Sequence, residues 1–421
     1  MTSYDVIVVG ARVAGAATAM LLARRGVKVL LIDRTRFPSD TLSSHQVQVP
    51  GIARLHRWGL LGELDKAGTP PTRAVRFDTG EPTLRGHFPA WQGVDTLYSP
   101  RRTVLDTVLA GAARAAGADV REQFRAEELV WSGGRVTGIR GSHRGEAAVT
   151  ETARLVVGAD GKHSLVARAV GAASYHQKPV LSFACYSYWS GLPVTGGELY
   201  QRPGRAVAVF PTNDDLVMVY MAAPLTEFGW FRADIESNYL KTLDRCGDLG
   251  ERARSAVRAE RLRSTPDQPN TFRACHGPGW ALVGDAGVVM DSVTAQGITN
   301  ALRDAELLAG AIVAGLDGAR PLSASLAEHQ RRRDAAIRPM YDFTVRLARF
   351  ATPSVAERQL LAAIARQPAE VDRFLGAFAG VLPVGSYFSA PDMLRILGPR
   401  GVTKTVAALA THPRLVRTRG T

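Results

Sequence analysis

The segment from Tyr4 to Asp33 constrains the fold more than any other part of the chain. An apolar run, Val6 to Val9, leads into Gly10-Ala11-Arg12-Val13-Ala14-Gly15, then a small-residue helix from Ala16 to Arg25 and a second apolar run, Val27 to Ile32, that ends at Asp33. This is the pattern of one strand–helix–strand unit. In a dinucleotide-binding turn the first glycine makes the bend, the second lets the backbone approach a pyrophosphate, and the third lets helix and strand pack closely. Gly10 and Gly15 fill the first and third places, and Arg12 stands in the second. Alone, such a turn is also compatible with a purely structural role. The small residues Ala14, Ala16, Ala17 and Ala19, and an acid at Asp33 placed to bond ribose hydroxyls, favour nucleotide binding at the helix N-terminus.

The rest of the chain reads as an α/β protein built on a Rossmann-like domain, with an inserted antiparallel β-sheet and a helical C-terminal region. Residues 101–117 form an amphipathic helix closed by Gly117, and a meander follows to Leu155–Val157 and Gly158-Ala159-Asp160-Gly161. Aromatic-rich, alternating segments between about 180 and 235 predict the inserted sheet. Trp280 to Val283 reads as one more buried strand delivering Gly284-Asp285, and a helix spans about 297–315. Residues 323–421 look helical, broken near Pro353, Pro368, Pro383 and Pro391. The expected boundaries are 1–175 and 276–330 for the two parts of the nucleotide domain, 176–275 for the sheet domain, and 331–421 for the helical region.

Composition narrows the class. The 421 residues are enough for a large core, and 46% hydrophobic with 22% charged residues is ordinary for a globular chain. The formal charge is +13, from 52 Lys+Arg against 39 Asp+Glu, and only six of these cations are lysines. The arginines are spread along the chain, which speaks for solvated surface and a few phosphate contacts and against nucleic-acid binding. Cys185, Cys246 and Cys275 are odd in number and widely spaced, so neither a disulfide framework nor a metal site is expected. No apolar run is long enough for a membrane span and no leader pattern precedes the first strand, so the expected location is cytoplasmic.

Two further sites follow from the nucleotide reading. Asp160-Gly161 and Asp285 each follow a strand, and Ser292-Val293-Thr294-Ala295-Gln296-Gly297-Ile298 is a polar turn feeding a helix. Taken in order, these segments and the N-terminal turn resemble the three fingerprints of the class A flavoprotein monooxygenases, the para-hydroxybenzoate hydroxylase type, which includes geranylgeranyl-reductase-like flavoenzymes. The resemblance covers about residues 4–330. It implies FAD, with its pyrophosphate at Gly10, Arg12, Val13, Ala14 and Gly15, its adenosine ribose at Asp33, and Arg34 nearby. It also implies contacts to FAD from Arg102, in an Arg-x-x-Leu-Asp pattern, from Asp160-Gly161, and from Gly284 and Asp285, with Asp285 on the ribityl chain. Backbone N–H groups of Gln296, Gly297 and Ile298 would face the flavin pyrimidine. NADPH or NADH would dock transiently as reductant.

Three departures from the family pattern stand out. Arg12 replaces the middle glycine, Val288 stands where many members have a histidine, and Ser292 stands where a proline usually begins the turn. The first requires the Arg12 side chain to turn away from the pyrophosphate or bond to it; the other two bear on oxygen chemistry. His45, in Ser43-Ser44-His45-Gln46, is a candidate acid or base near neutral pH, or a helix-surface histidine. Tyr186, Tyr188, Tyr200, Phe210 and Tyr220 are candidates for lining a flat apolar pocket, or for ordinary sheet packing. Phe183 to Trp189 lacks the Trp-x-Trp-x-Ile-Pro signature of flavin halogenases.

The leading expectation is a monooxygenase in which NAD(P)H reduces the flavin, O2 adds as a C4a-hydroperoxide, and an aromatic or polyketide-like small molecule is oxygenated. The alternatives are a flavin-dependent reductase or dehydrogenase without oxygen insertion, and a non-catalytic flavin- or ligand-binding protein. A monomer or a homodimer is expected.

Overall fold

The computed structural model describes residues 3–399, so the part of the expected helical region from 400 on lies outside the described residues. Five strands run parallel in one sheet, in the order Asp119–Arg121, Val29–Ile32, Ser3–Val9, Val149–Gly158, Trp280–Leu282. Their apolar runs do not alternate because both faces are covered. Val6 and Val8 pack into one cluster with helices Val13–Ala23, Arg102–Ala115 and Gly297–Leu316, while Ile7 and Val9 pack into another with the antiparallel hairpin Phe124–Ser132 and Arg135–His143. Parallel strands place all their C-terminal ends at one edge of the sheet. Gly10, Asp33, Ala159-Asp160 and Gly284-Asp285 therefore line up along that edge.

The N-terminal turn is as tight as its sequence predicts. A Cβ at position 15 would lie 1.7 Å from the Gly10 carbonyl oxygen, and one at position 10 would lie 2.5 Å from the Ala159 carbonyl oxygen. Gly10 also has φ +103°, a conformation that side-chain-bearing residues rarely adopt.

The second sheet carries Ser182–Ser190, Gly197–Arg202, Arg205–Pro211 and Leu216–Pro224 in antiparallel pairing. It is not confined to residues 176–275, and it is not wholly antiparallel. Ala74–Asp78 and Thr83–His87 extend it, with Ala74–Asp78 parallel to Gly197–Arg202. The seam is close because Gly196 has no side chain: a Cβ there would meet the Ala74 carbonyl oxygen at 2.5 Å.

Register divides the aromatic candidates between the two faces. Tyr186 opposes Tyr220, Tyr188 opposes Met218, and Met218 opposes Phe210, so these side chains share the face toward the nucleotide-type domain. Tyr200 opposes Val207, which opposes Met221, and this set packs on helices Ile235–Leu243 and Leu249–Ser255. Tyr200 bonds Glu198 at 2.5 Å and lies within reach of Arg252, 3.1 Å away, so it is a packing residue and not a pocket residue.

The C-terminal helices are Leu322–Leu347, Val355–Ala365, Pro368–Phe378 and Val384–Tyr387, with residues 390–399 also helical. Pro368 opens its helix, where the missing N–H costs nothing, and Pro391 falls in a first turn and breaks nothing. Helix Pro368–Phe378 packs on strand Thr83–His87, where Asp372 accepts the His87 N–H at 2.8 Å.

A buried ion pair ties the long helices to the sheet edge. His329 Nε2 lies 2.7 Å from Asp304 Oδ1, and the other Asp304 oxygen accepts the Gly284 N–H at 2.8 Å. Burial alone would push the imidazole down, but the charge and hydrogen bond of Asp304 outweigh it and raise His329 to about 9.

Two predictions follow from this packing. Gly15→Ala must push the turn off the strand and should cost about 2–3 kcal/mol, measured by denaturant unfolding; a loss below ~0.5 kcal/mol would contradict the close approach. His329, protonated in the fold, contributes stability that is complete below its ordinary value of 6.5 and lost as pH rises through about 9. The Tm should therefore fall more steeply between pH 7 and 10 in the wild type than in His329→Gln, which cannot titrate; parallel curves would refute the assignment.

Candidate cofactor site

A cavity of about 620 Å³ runs along the C-terminal edge of the parallel strands and under the second sheet. Gly10, Arg12, Val13, Ala14, Asp33, Arg34, His45, Arg102, Asp160, Gly161, Tyr186, Tyr220, Gly284, Asp285, Gly297 and Ile298 all line it. Residues as far apart in the chain as Gly10 and Ile298, 288 positions, thus meet in one space. Gly15 sits behind the wall, where it sets the turn.

Arg12 does turn aside. It caps helix Val13–Ala23 with extended backbone, and its guanidinium bonds Asp106 Oδ2 at 2.5 Å and the Ser39 carbonyl at 3.3 Å, with Phe37 beneath it. Arg102 bonds the other Asp106 oxygen through Nε and Nη2, at 3.1 and 2.9 Å. One fully buried carboxylate therefore holds two arginines at the cavity wall, leaving a net positive charge there. Asp106 is the last residue of the Arg-x-x-Leu-Asp pattern, and its i,i+4 spacing from Arg102 is the signal that could have identified it.

The acidic residues differ in how far the protein already uses them. Asp33 accepts the Ala11 N–H at 2.8 Å through Oδ2, and Thr35 N and Oγ1 at 2.8 and 2.7 Å through Oδ1. Asp160 is spent on the short helix Leu165–Ala169, accepting Ser164 Oγ at 2.5 Å and Leu165 N at 2.6 Å, and burial raises its pKa. Asp285 is different: its carboxylate makes no hydrogen bond or ion pair among the described residues. The protein packed around it raises its pKa by desolvation, while the residue itself remains exposed and faces the cavity. Arg34 is exposed at the cavity rim and is likewise unpaired among the described residues.

At the far end, a single helical turn, Ser292–Thr294, passes through Ala295 at φ +51° into helix Gly297–Leu316. The N–H groups of Gly297 and Ile298 are first-turn donors without intrahelical acceptors. The Gln296 side chain points elsewhere: Nε2 donates to the Phe378 carbonyl at 3.1 Å and anchors the C-terminal helices. Gln296 is buried and, unlike Ala295, Gly297 and Ile298, does not line the cavity.

His45 is not on a helix surface and does not titrate near neutral pH. It is 1% exposed, with Nδ1 3.2 Å from the Ser99 carbonyl and Nε2 2.8 Å from the Tyr188 hydroxyl. A carbonyl can only accept, so Nδ1 carries the proton and Nε2 accepts from Tyr188. Burial, reinforced by Arg101 and Arg102, drives its pKa down to about 3 although the Ser99 carbonyl opposes this. Tyr188 is in turn covered by Arg101, 4.0 Å from its ring. His45 thus gives the cavity a neutral wall, and Tyr188, expected in the pocket, sits behind it and does not line the cavity. Tyr186 accepts the Ser43 N–H at 3.2 Å, and Tyr220 shares a 2.8 Å hydrogen bond with Ser292.

A polar chain not foreseen from the sequence backs that turn. Ser292 bonds Gln268, Gln268 Nε2 donates to Ser182 at 2.7 Å, and Ser182 donates to Asp291 at 2.5 Å. Burial lifts Asp291 to about 6. Ser182 and Asp291 alone are 109 positions apart, so no local pattern could have joined the chain's members.

A second, narrower space of about 30 Å³ continues from this end between the second sheet and helix Pro368–Phe378. Phe210, Met218, Tyr220, Leu375 and Phe378 line it, and Ser44, Gln46, Tyr220, Ser292 and Ala295 line both spaces.

These features fit FAD: a turn that a Cβ would block, a surplus of positive charge beside it, a carboxylate facing the cavity with no partner among the described residues, and first-turn N–H donors at its end. Comparison with known proteins agrees. The FAD binding domain family profile matches residues 3–344. The digeranylgeranylglycerophospholipid reductase of Methanocella arvoryzae is 27% identical over 346 residues, covering 80% of this chain and 83% of that protein. Two solved structures share the fold: the myxobacterial chondrochloren halogenase CndH (TM-score 0.76, 22% identity, 94% of this chain and 96% of that one) and Pseudomonas aeruginosa PqsL in complex with 2-aminobenzoylacetate (TM-score 0.70, 21% identity, 90% and 99%). No helix among the described residues is long and apolar enough to cross a membrane. The chain belongs to the FAD binding domain family and is an FAD-dependent oxidoreductase.

Proposed function

We propose that the chain is an NAD(P)H-dependent flavin monooxygenase acting on a neutral, largely apolar small molecule, aromatic or polyketide-like. The observation that supports this reading is the junction of the two spaces at Tyr220, Ser292 and Ala295, where the large cavity ends at a helix N-terminus and an apolar slot begins. When bound, FAD supplies the electron-transfer and oxygen chemistry; the protein supplies position, charge and exclusion of water.

In this reading the turn Gly10–Gly15, with Val13 and Ala14, presents N–H groups to the pyrophosphate, and Arg12 and Arg102 add positive charge beside it. Asp33 holds the adenosine ribose through its remaining acceptor capacity, with Arg34 at the rim. Asp285 takes the ribityl hydroxyls, Gly161 and Gly284 let the cofactor approach the backbone, and the N–H groups of Gly297 and Ile298 meet the pyrimidine edge. His45 and Tyr188, both neutral, keep charge away from the reacting face. NADPH or NADH docks transiently at the open rim of the cavity.

A second reading, reduction without oxygen insertion, is favoured by the name of the Methanocella relative and by Val288 and Ser292 at positions where the monooxygenase pattern differs.

Two measurements test the proposal. Arg102→Ala should weaken FAD binding by about 10- to 100-fold, the worth of one charge-assisted hydrogen bond, in a fluorescence titration of the apoprotein; unchanged affinity would show that Arg102 serves only Asp106. Neutral aromatic compounds incubated with NADPH under 18O2 should yield a product carrying one labelled oxygen by mass spectrometry. Products that gain two hydrogens and no label would establish the reductase reading instead.

A further inference from the structure

We propose that His329 is a positioning residue for the cofactor: from behind the cavity wall its imidazolium neutralises Asp304, a carboxylate that holds the Gly284 turn but would otherwise oppose an anionic ligand, and FAD binding is thereby linked to His329 protonation. The inference rests on the reading of the large cavity as the FAD site.

Asp304 is an unexpected residue for a site that holds a pyrophosphate. It lines the large cavity, and one of its oxygens accepts the Gly284 N–H at 2.8 Å. Gly284 has φ +61° and packs so closely on the first helix that a Cβ there would meet the Ala14 Cβ at 2.6 Å. The carboxylate therefore stands near the helix N-terminus assigned to the pyrophosphate. A negative charge held there in a low-dielectric wall repels a doubly charged ligand. Removing the carboxylate would leave the buried Gly284 N–H without its acceptor, which is costly in its own right. The other Asp304 oxygen resolves the conflict. It lies 2.7 Å from His329 Nε2, on a side chain that is fully buried and does not itself line the cavity.

The surroundings leave the imidazole a single counter-charge. Its Nδ1 faces Cys275 Sγ at 3.6 Å. The strand His276–Gly277 adds His276, which burial and the charges of His329, Arg333 and Arg331 hold below its ordinary value. Helix Gly297–Leu316 contributes Asp304 itself and Arg303, which bonds Asn300. On the helix that carries His329, Arg333 pairs with Asp334, and Arg331 pairs with Glu328 at the surface. The turn Ser292–Thr294 and helix Val384–Tyr387 also pack on that helix and carry no charged side chain. Among the described residues Asp304 is thus the one carboxylate bonded to His329, and the pair is neutral only while the imidazole keeps its second proton. It does so up to about pH 9. FAD binds the neutral pair more tightly than a lone carboxylate, so by reciprocity its binding raises that value further.

The test is a fluorescence titration of FAD into the full-chain apoprotein, with Tm measured for each form: wild type, His329→Gln, the double variant Asp304→Asn/His329→Gln, and Arg102→Ala. The double variant keeps the hydrogen bonds and removes the charges, since the asparagine carbonyl accepts the Gly284 N–H and its amide donates to the substituted glutamine. At pH 7 His329→Gln should bind FAD about tenfold more weakly than the wild type, and the double variant should return to within about threefold of it. A double variant as weak as the single one would make the role of His329 purely structural and overturns the proposal. Between pH 7 and 10 wild-type affinity should fall toward that of His329→Gln, because the wild type loses its imidazolium as pH rises through about 9 and the variant has none to lose. A gap that stays constant overturns the proposal as well. If His329→Gln fails to fold, the other two forms still decide: wild type and double variant should agree at pH 7 and diverge above pH 9, the wild type becoming the weaker. Arg102→Ala separates the inference from its premise. If it weakens FAD binding and His329→Gln does not, this proposal alone fails; if neither does, the reading of the cavity as the FAD site fails with it.

Discussion

A side chain at position 15 would have to occupy the place of the Gly10 carbonyl oxygen, and the rest of the site depends on that contact being bare. It lets the first helix begin directly above the first strand, so that its N-terminal N–H groups reach the edge where all five parallel strands end. Gly284 repeats the device from the far strand, where a Cβ would meet that of Ala14 at 2.6 Å. Two separated segments are thereby drawn onto one short stretch of helix, and a ligand lying along the edge touches both.

Charge along that edge is arranged more sparingly than the +13 of the whole chain suggests. Asp106 takes up one of the two charges of Arg12 and Arg102 and holds both guanidiniums in fixed positions. A pair of free arginines would lose side-chain entropy on binding a phosphate, whereas a pair already tied to a buried carboxylate has lost much of it. Asp285 acts in the opposite way, since its carboxylate has no partner among the described residues and so retains its capacity for ligand hydroxyls. The narrow space is lined by no charged side chain among the described residues, and His45, which lines the large cavity, is buried and held neutral between Ser99 and Tyr188.

Much of this was legible in the sequence, and the reasons it stopped being legible are physical. The turn, the strand-end acids and the helix at 297 are local patterns, and the structure gathers them along one cavity. Arg12 was read correctly as a side chain with two options, but its choice depended on Asp106, 94 positions away. Tyr200 looked equivalent to Tyr186, Tyr188 and Tyr220 because alternation within a strand gives two faces without saying which is which; only the cross-strand register separates them. Gln296 was placed by its backbone, which the pattern governs, while its side chain answers to a C-terminal helix outside the pattern. His45 illustrates the same limit: residue type proposed a titrating group, and burial removed the titration.

The central claim is that one edge of the sheet holds the cofactor lengthwise and delivers its reactive ring to the junction at Tyr220, Ser292 and Ala295. A crystal structure of the FAD-loaded chain tests it most directly. The account predicts the pyrophosphate against Gly10–Gly15, the ribityl chain within hydrogen-bond distance of Asp285, and the flavin ring between the Ser292–Ile298 turn and the Tyr186–Tyr220 face of the second sheet. A flavin ring bound outside that junction, or an Asp285 carboxylate still without a partner, would contradict it.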